Sequence, residues 1–149
     1  SGSSRLWKRI REKEGLSYGV YAWIQASSFE PNTPLMIEAS FAPENRERLA
    51  KALAEELSGA VKNGFTDAEI DIAKNSVLKR RQLQRTQDAS LAQALVQQAY
   101  RGRTFEFTGK VDAAIAALTA ADVNAALRKY VKPDAFAFVY AGDFAKHGK

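Results

Sequence analysis

The 149-residue chain has no cysteine and a single histidine, His147. The first absence excludes disulfides, thiolate metal sites and a cysteine nucleophile, and leaves the redox compartment open. The second excludes more. One imidazole cannot build the two-histidine, one-carboxylate site that a catalytic zinc requires, and a serine triad would have to take the same His147 as its base. That residue sits in the lysine-flanked tail 145–149 and reads as a solvated side chain, because termini fray unless tied down. Phosphate-cradling Gly-x-x-x-x-Gly-Lys-Ser/Thr and Gly-x-Gly-x-x-Gly loops are absent, so nucleotide binding is unsupported. No apolar run approaches the roughly 20 residues of a membrane span, and no signal segment is seen. The abrupt Ser1-Gly2-Ser3-Ser4 opening at a helix start reads as the start of a piece, with any targeting signal upstream.

What is present reads as one soluble, globular domain over residues 1–149: 46% hydrophobic residues, 26% charged residues and a mean hydropathy of −0.34. A chain of this length buries about two-thirds of its unfolded surface, enough to fold alone. The net charge of +5 favours acidic partners, but 17 acidic residues are interspersed with 22 basic ones. Only Lys79-Arg80-Arg81 is dense, and it reads as a solvated helix face. Nucleic-acid binding would need a basic stripe interleaved with exposed aromatics or a reading module, and neither occurs. Glu55-Glu56 and Glu12/Glu14 read as solvated helix charges, since nothing suggests burial.

Along the chain, Ser27–Pro34 is a loop, and Leu35–Phe41 alternates Leu35, Ile37, Ala39 and Phe41 against Met36, Glu38 and Ser40, the second half of an antiparallel hairpin. Pro43 opens a long helix with Leu49, Leu53, Leu57 and Val61 as its core stripe and Arg46, Lys51 and Glu55 outward; Asn63-Gly64 stops it. Thr66-x-x-Glu69 and Thr119-x-x-Asp122 are capping boxes, flanked by the hydrophobic pairs Phe65/Ile70 and Leu118/Val123. Helical spacing runs from Asp67 through KRRQLQR, breaks near Thr86–Ser90, and resumes until Gly102. Arg103–Gly109 reads as a connection, Val111–Leu118 as a small helix, and Ala120–Tyr130 as the capped one. Pro133-Asp134 turns into a last strand, Ala135–Ala141, whose two apolar faces predict a covered, central position.

The most informative stretch is Arg5–Ala22. Leu6, Ile10 and Trp7 recur at helical spacing, Ser3 or Ser4 can cap the start, and Gly15 stands where a helix wants a left-handed stop. From Tyr18 the period becomes two, with Tyr18, Val20, Ala22 and Ile24 on one face and Tyr21 and Trp23 on the other. Arg11 and Tyr18 therefore flank one tight bend, which can aim a guanidinium and a phenol at one point.

Ser4-Arg5-Leu6 followed by Arg11-Glu12-Lys13-Glu14-Gly15-Leu16-Ser17-Tyr18 resembles the signature of the C-terminal domain of insulinase/pitrilysin-like zinc metallopeptidases, the inverzincin group that includes the mitochondrial processing peptidases. The order of elements over nearly the whole chain resembles the later part of such a domain. The resemblance implies an α+β metallohydrolase-type domain, a mostly antiparallel sheet covered by about six helices, with further strands upstream. It implies that Arg11 and Tyr18 reach across an enclosed chamber to a peptide held at zinc in another domain; Gly15 and Leu16 are assigned to the substrate-binding bend as the residues that shape it. The inverted zinc motif His-x-x-Glu-His of active members occurs nowhere here. Zinc is accordingly expected on an N-terminal domain or partner subunit, in one chain or in a homo- or heterodimer, and this chain alone is expected to be inactive.

Arg11 and Tyr18 suit that role: an oxyanion develops in peptide hydrolysis, Tyr18 is a neutral donor, and Arg11 is a planar fork that stays charged. The other reading of the pair is structural, with Arg11 neutralising a helix end and Tyr18 an ordinary strand aromatic. At the level of function the alternative is a scaffold or interaction subunit of the same fold, for which the intact pair has no chemical use. By resemblance the compartment is the bacterial periplasm, with cytoplasmic or mitochondrial locations as alternatives.

Overall fold

Ser4 has extended backbone, and its hydroxyl accepts a hydrogen bond from the Trp7 N–H at 3.2 Å, so the helix begins on a side-chain cap. The computed structural model describes residues 4–147; Ser3 as a cap and the His147 side chain lie outside the described residues. The chain divides into two compact units, residues up to 63 together with those from 131, and residues 64–130.

In the first unit, α1 (Arg5–Trp7) continues directly into a π-helix, Lys8–Lys13. The wider winding is visible in the Glu14 N–H, which bonds to the Arg9 carbonyl at 3.1 Å. Gly15 follows with φ +62°, the left-handed stop that its position predicts. Strands β1 (Ser17–Ile24) and β2 (Leu35–Phe41) pair antiparallel as a two-stranded sheet. β2 keeps the alternation of its sequence, Leu35, Ile37, Ala39 and Phe41 being the less exposed set. A 3-10 turn, Pro43–Asn45, leads into α2 (Arg46–Asn63), which Gly64 ends at φ +73°. The core joins Ile10, Leu16, Val20, Leu49 and Ala52, with Leu6, Trp7, Ile37, Ala39, Phe41 and Leu53 packed around it.

The second unit is helical: α3 (Asp67–Arg85), α4 (Asp88–Tyr100), α5 (Phe105–Ala117) and α6 (Ala120–Tyr130). Both capping boxes form. The Thr66 hydroxyl accepts from the Glu69 N–H at 3.3 Å while the Glu69 carboxylate accepts from the Thr66 N–H at 2.8 Å, and Thr119 and Asp122 repeat the exchange at 3.2 and 3.0 Å. The Asn124 side chain joins the ends of the unit, accepting from the Phe65 N–H at 2.7 Å and donating to the Phe65 carbonyl at 2.9 Å.

Three local expectations are corrected. The segment 103–109 is not a connection; α5 begins at Phe105, since nothing in Phe105–Lys110 breaks a helix except Gly109, which helices tolerate at a cost near 1 kcal/mol. Ala135–Ala141 is not a covered central strand. The chain forms a 3-10 turn at Pro133–Ala135, no described strand lies beside 136–141 to accept its ladder, and Val139 is 91% exposed. Aromatic packing organises it instead: Tyr140 stacks on Phe138 and meets Phe41 edge to face, both at 6.4 Å between ring centres. Arg46, expected to face outward, lies over the Tyr140 and Phe144 rings at 6.0 and 5.5 Å. The α+β class itself stands.

Candidate functional site

The bend between the π-helix and β1 is built from two opposite kinds of residue. Ile10 and Leu16 are the largest fully buried side chains, and the Leu16 N–H closes the turn on the Ile10 carbonyl at 2.8 Å. Burying both ends of the turn fixes its backbone, so whatever projects from it is held on a rigid base. Arg11 and Tyr18 project from it.

Arg11 is exposed, and its guanidinium carbon lies 4.4 Å from the centre of the Trp7 ring. Arg9, two positions earlier, is used differently. Its guanidinium pairs with Glu14, with Glu55 at 2.7 Å and with Glu56 at 3.6 Å. The hydrogen bonds it donates to Glu14, then to Glu55, raise its pKa above the already high arginine value. Arg9 thus fastens the π-helix to α2, whereas Arg11 makes no hydrogen bond or ion pair among the described residues.

Tyr18 is 90% exposed, although Ser17 and Val20 beside it are buried. The cause is a β-bulge. Ser17 pairs with Phe41 and Gly19 with Ser40, so Tyr18 is an extra residue with no partner in β2. A bulge breaks the alternation of faces and re-aims one side chain. Tyr18 therefore does not share the packed face of Val20, as strict alternation predicts. Ser17 repairs the ladder: its Oγ accepts from the Gly19 N–H at 3.1 Å and lies 2.7 and 2.6 Å from the Gly19 and Ser40 carbonyls, to either of which it donates. Gly19 in turn leaves room for Tyr21, whose ring and hydroxyl come within 3.1–3.4 Å of where a Cβ would stand.

Of the residues singled out in sequence, Arg11 and Tyr18 are exposed at the two ends of the turn, Gly15 makes the turn and Leu16 anchors it. The side chains of Arg11 and Tyr18 do not bond to each other. Ser17 and Trp7 were missed as parts of this site. The spacing of Trp7, four residues before Arg11, could have shown that pairing; a bulge leaves no trace in the periodicity of one strand. No group of three His, Cys, Asp or Glu among the described residues could hold a metal ion, so zinc does not fit here. No helix among them is long and apolar enough to cross a membrane.

The sequence profile described as "Peptidase M16 inactive domain" matches residues 1–77, which contain the whole bend. An uncharacterized zinc protease of Mycobacterium tuberculosis is 35% identical over 75 residues, which are 50% of this chain and 17% of that protein. An uncharacterized zinc protease of Bacillus subtilis is 31% identical over 77 residues, 52% of this chain and 18% of that protein. The matched region is thus under a fifth of the length of these relatives. A crystal structure of a peptidase M16 inactive domain from Pseudomonas fluorescens superposes with a TM-score of 0.77 at 25% identity, over 90% of this chain and 31% of that one. With its signature bend, its fold and a family match over more than half its length in agreement, the chain belongs to the peptidase M16 inactive domain family.

Proposed function

We propose that this chain is the zinc-free, substrate-clamping domain of a zinc metallopeptidase, and that it works against an N-terminal zinc-bearing domain or subunit with Arg11 and Tyr18 facing the peptide. The observation that carries the reading is the bulge at Tyr18. A 90% exposed tyrosine stands between buried Ser17 and Val20, and the fold gives up a regular ladder to put it there. A purely structural strand has no need of that displacement.

Zinc and its chemistry are assigned to the other domain. This chain's part is to bind and orient. As a peptide carbonyl is attacked, negative charge builds on its oxygen, and the Tyr18 hydroxyl donates a hydrogen bond there. Arg11 offers in-plane N–H donors to the same oxygen or to a neighbouring backbone carbonyl. Gly15 supplies the left-handed turn and Leu16 its buried anchor, so the two donors stand on a fixed bend.

The test is Tyr18→Phe in the full-length protein, assayed on an unstructured peptide with zinc content measured in parallel. Turnover is expected to fall by about 10²- to 10³-fold with zinc unchanged, the usual cost of one oxyanion donor. Full turnover in the variant removes Tyr18 from the mechanism. A wild-type protein that neither holds zinc nor cleaves marks the fold as an assembly subunit.

A further inference from the structure

The two arginines of the π-helix separate structural from functional use of the same side chain, and the separation identifies a further residue. Arg9 has its fork occupied by Glu14, Glu55 and Glu56. Arg11 makes no ion pair among the described residues; its guanidinium carbon lies over the Trp7 ring, 4.4 Å from the ring centre, well within the range of a cation–π contact. The difference is chemical. The five N–H donors of a guanidinium lie in its plane, so an ion pair consumes them and a ring beneath the plane does not. Stacking is therefore the way to restrict a long, rotamer-rich side chain and still leave its donors free for a ligand.

Trp7 is suited to this work. It is half-buried and packs against the core cluster of Ile10, Leu16 and Val20, so its ring is a fixed surface. It also stands at the point where α1 becomes the π-helix, a wider winding that recurs at functional positions.

We infer that Trp7 is a positioning residue: its indole face holds the Arg11 guanidinium in the orientation that meets the peptide. The inference rests on the reading of Arg11 as a substrate-binding group. Trp7 itself touches no substrate in this account; it lowers the freedom that Arg11 would lose on binding.

The experiment is a double-mutant cycle in the full-length protein, with kcat/KM on an unstructured peptide, zinc content and melting temperature recorded for Trp7→Leu, Trp7→Phe, Arg11→Met and Arg11→Met combined with Trp7→Leu. Trp7→Leu keeps an apolar side chain against the core but loses the ring, and is expected to lower kcat/KM by about 3- to 10-fold, the range of a partly exposed cation–π contact. Trp7→Phe retains a ring and recovers most of that loss. In the Arg11→Met background the Trp7→Leu change has no further effect. If Trp7→Leu does not fold, Trp7→Met takes its place with the same expectations. A loss that persists undiminished without Arg11 overturns the inference, as does full activity of Trp7→Leu beside a defective Arg11→Met. A fully active Arg11→Met overturns the role of Arg11 first, and the role of Trp7 with it.

Discussion

The two units of the chain use different devices to hold their backbones. Residues 64–130 form regular helices, started by capping boxes at Thr66 and Thr119 and fastened by Asn124 and by Arg81 and Arg85 on Asp112. The unit holding the bend departs from regular winding twice within a dozen residues, as the π-helix Lys8–Lys13 and the bulge at Tyr18, with a left-handed glycine between them. Such departures cost ladder and helix bonds that the sequence could have kept. In this molecule they fall where Arg11 and Tyr18 emerge, and the regular unit shows none of comparable kind. On the proposed reading of Arg11 and Tyr18, irregularity is a better pointer to the working surface than charge, which is spread over both units.

The glycines sharpen the contrast most. Gly64 and Gly15 have similar backbone angles, φ +73° and +62°, but a Cβ on Gly64 would stand 2.8 Å from the Asn124 amide while Gly15 has open space. Gly64→Ala is expected to cost about 3 kcal/mol, left-handed strain plus the disturbed Asn124 bonds to Phe65, and Gly15→Ala about 1 kcal/mol from strain alone. Chemical denaturation of both variants checks the ranking. Equal losses would mean that surroundings do not matter at these turns.

Ser17→Ala comes next. It removes the hydroxyl that bridges Gly19 and Ser40, for an expected loss of about 1–2 kcal/mol. Because the bulge is what displaces Tyr18, the same variant is expected to lower peptide turnover several-fold at temperatures where it remains folded. A variant that is destabilised yet turns over normally would show that the bulge does not set the position of Tyr18.

The smallest effect belongs to the regular unit and to acid. Burial pushes the Asp112 carboxyl up, but hydrogen bonds from Arg81 and then Arg85, with their positive charges, outweigh it and hold the carboxyl below its ordinary 3.8. A carboxylate lowered on folding stabilises above its unfolded value and loses that contribution as pH falls through its folded one. Asp112→Asn is therefore expected to cost about 0.5–1 kcal/mol at neutral pH, a difference that fades as acid titrates the lowered carboxyl, read from melting temperatures along an acid series. A constant difference at all pH values would contradict the ion-pair account.

Much of this was legible in the sequence. Both capping boxes, the Gly15, Gly64 and Gly102 stops, the Leu35–Phe41 strand and the limits of α6 follow from local chemistry, which a linear sequence states directly. The failures share a cause as well. The tail 135–141 reads as a strand because Phe136, Phe138 and Tyr140 alternate, but a strand exists only where a partner takes its hydrogen bonds. The bulge depends on the register of β1 against β2, and the stacking of Arg46 and Arg11 on aromatic rings depends on where those rings come to lie. Of the candidate site, Arg11, Gly15, Leu16 and Tyr18 could be picked out from the signature; Ser17, which bonds across the bulge, and Trp7, whose ring lies by the Arg11 guanidinium, needed three dimensions.

The most direct test of the central claim sets one residue from each unit side by side in the full-length protein: kcat/KM on an unstructured peptide for Tyr18→Phe and for Asp112→Asn, both at neutral pH with zinc content measured. The account predicts a loss of about 10²- to 10³-fold for Tyr18→Phe and a near-normal value for Asp112→Asn, with zinc retained in both. Equal losses in the two variants, or normal turnover in Tyr18→Phe, would contradict it.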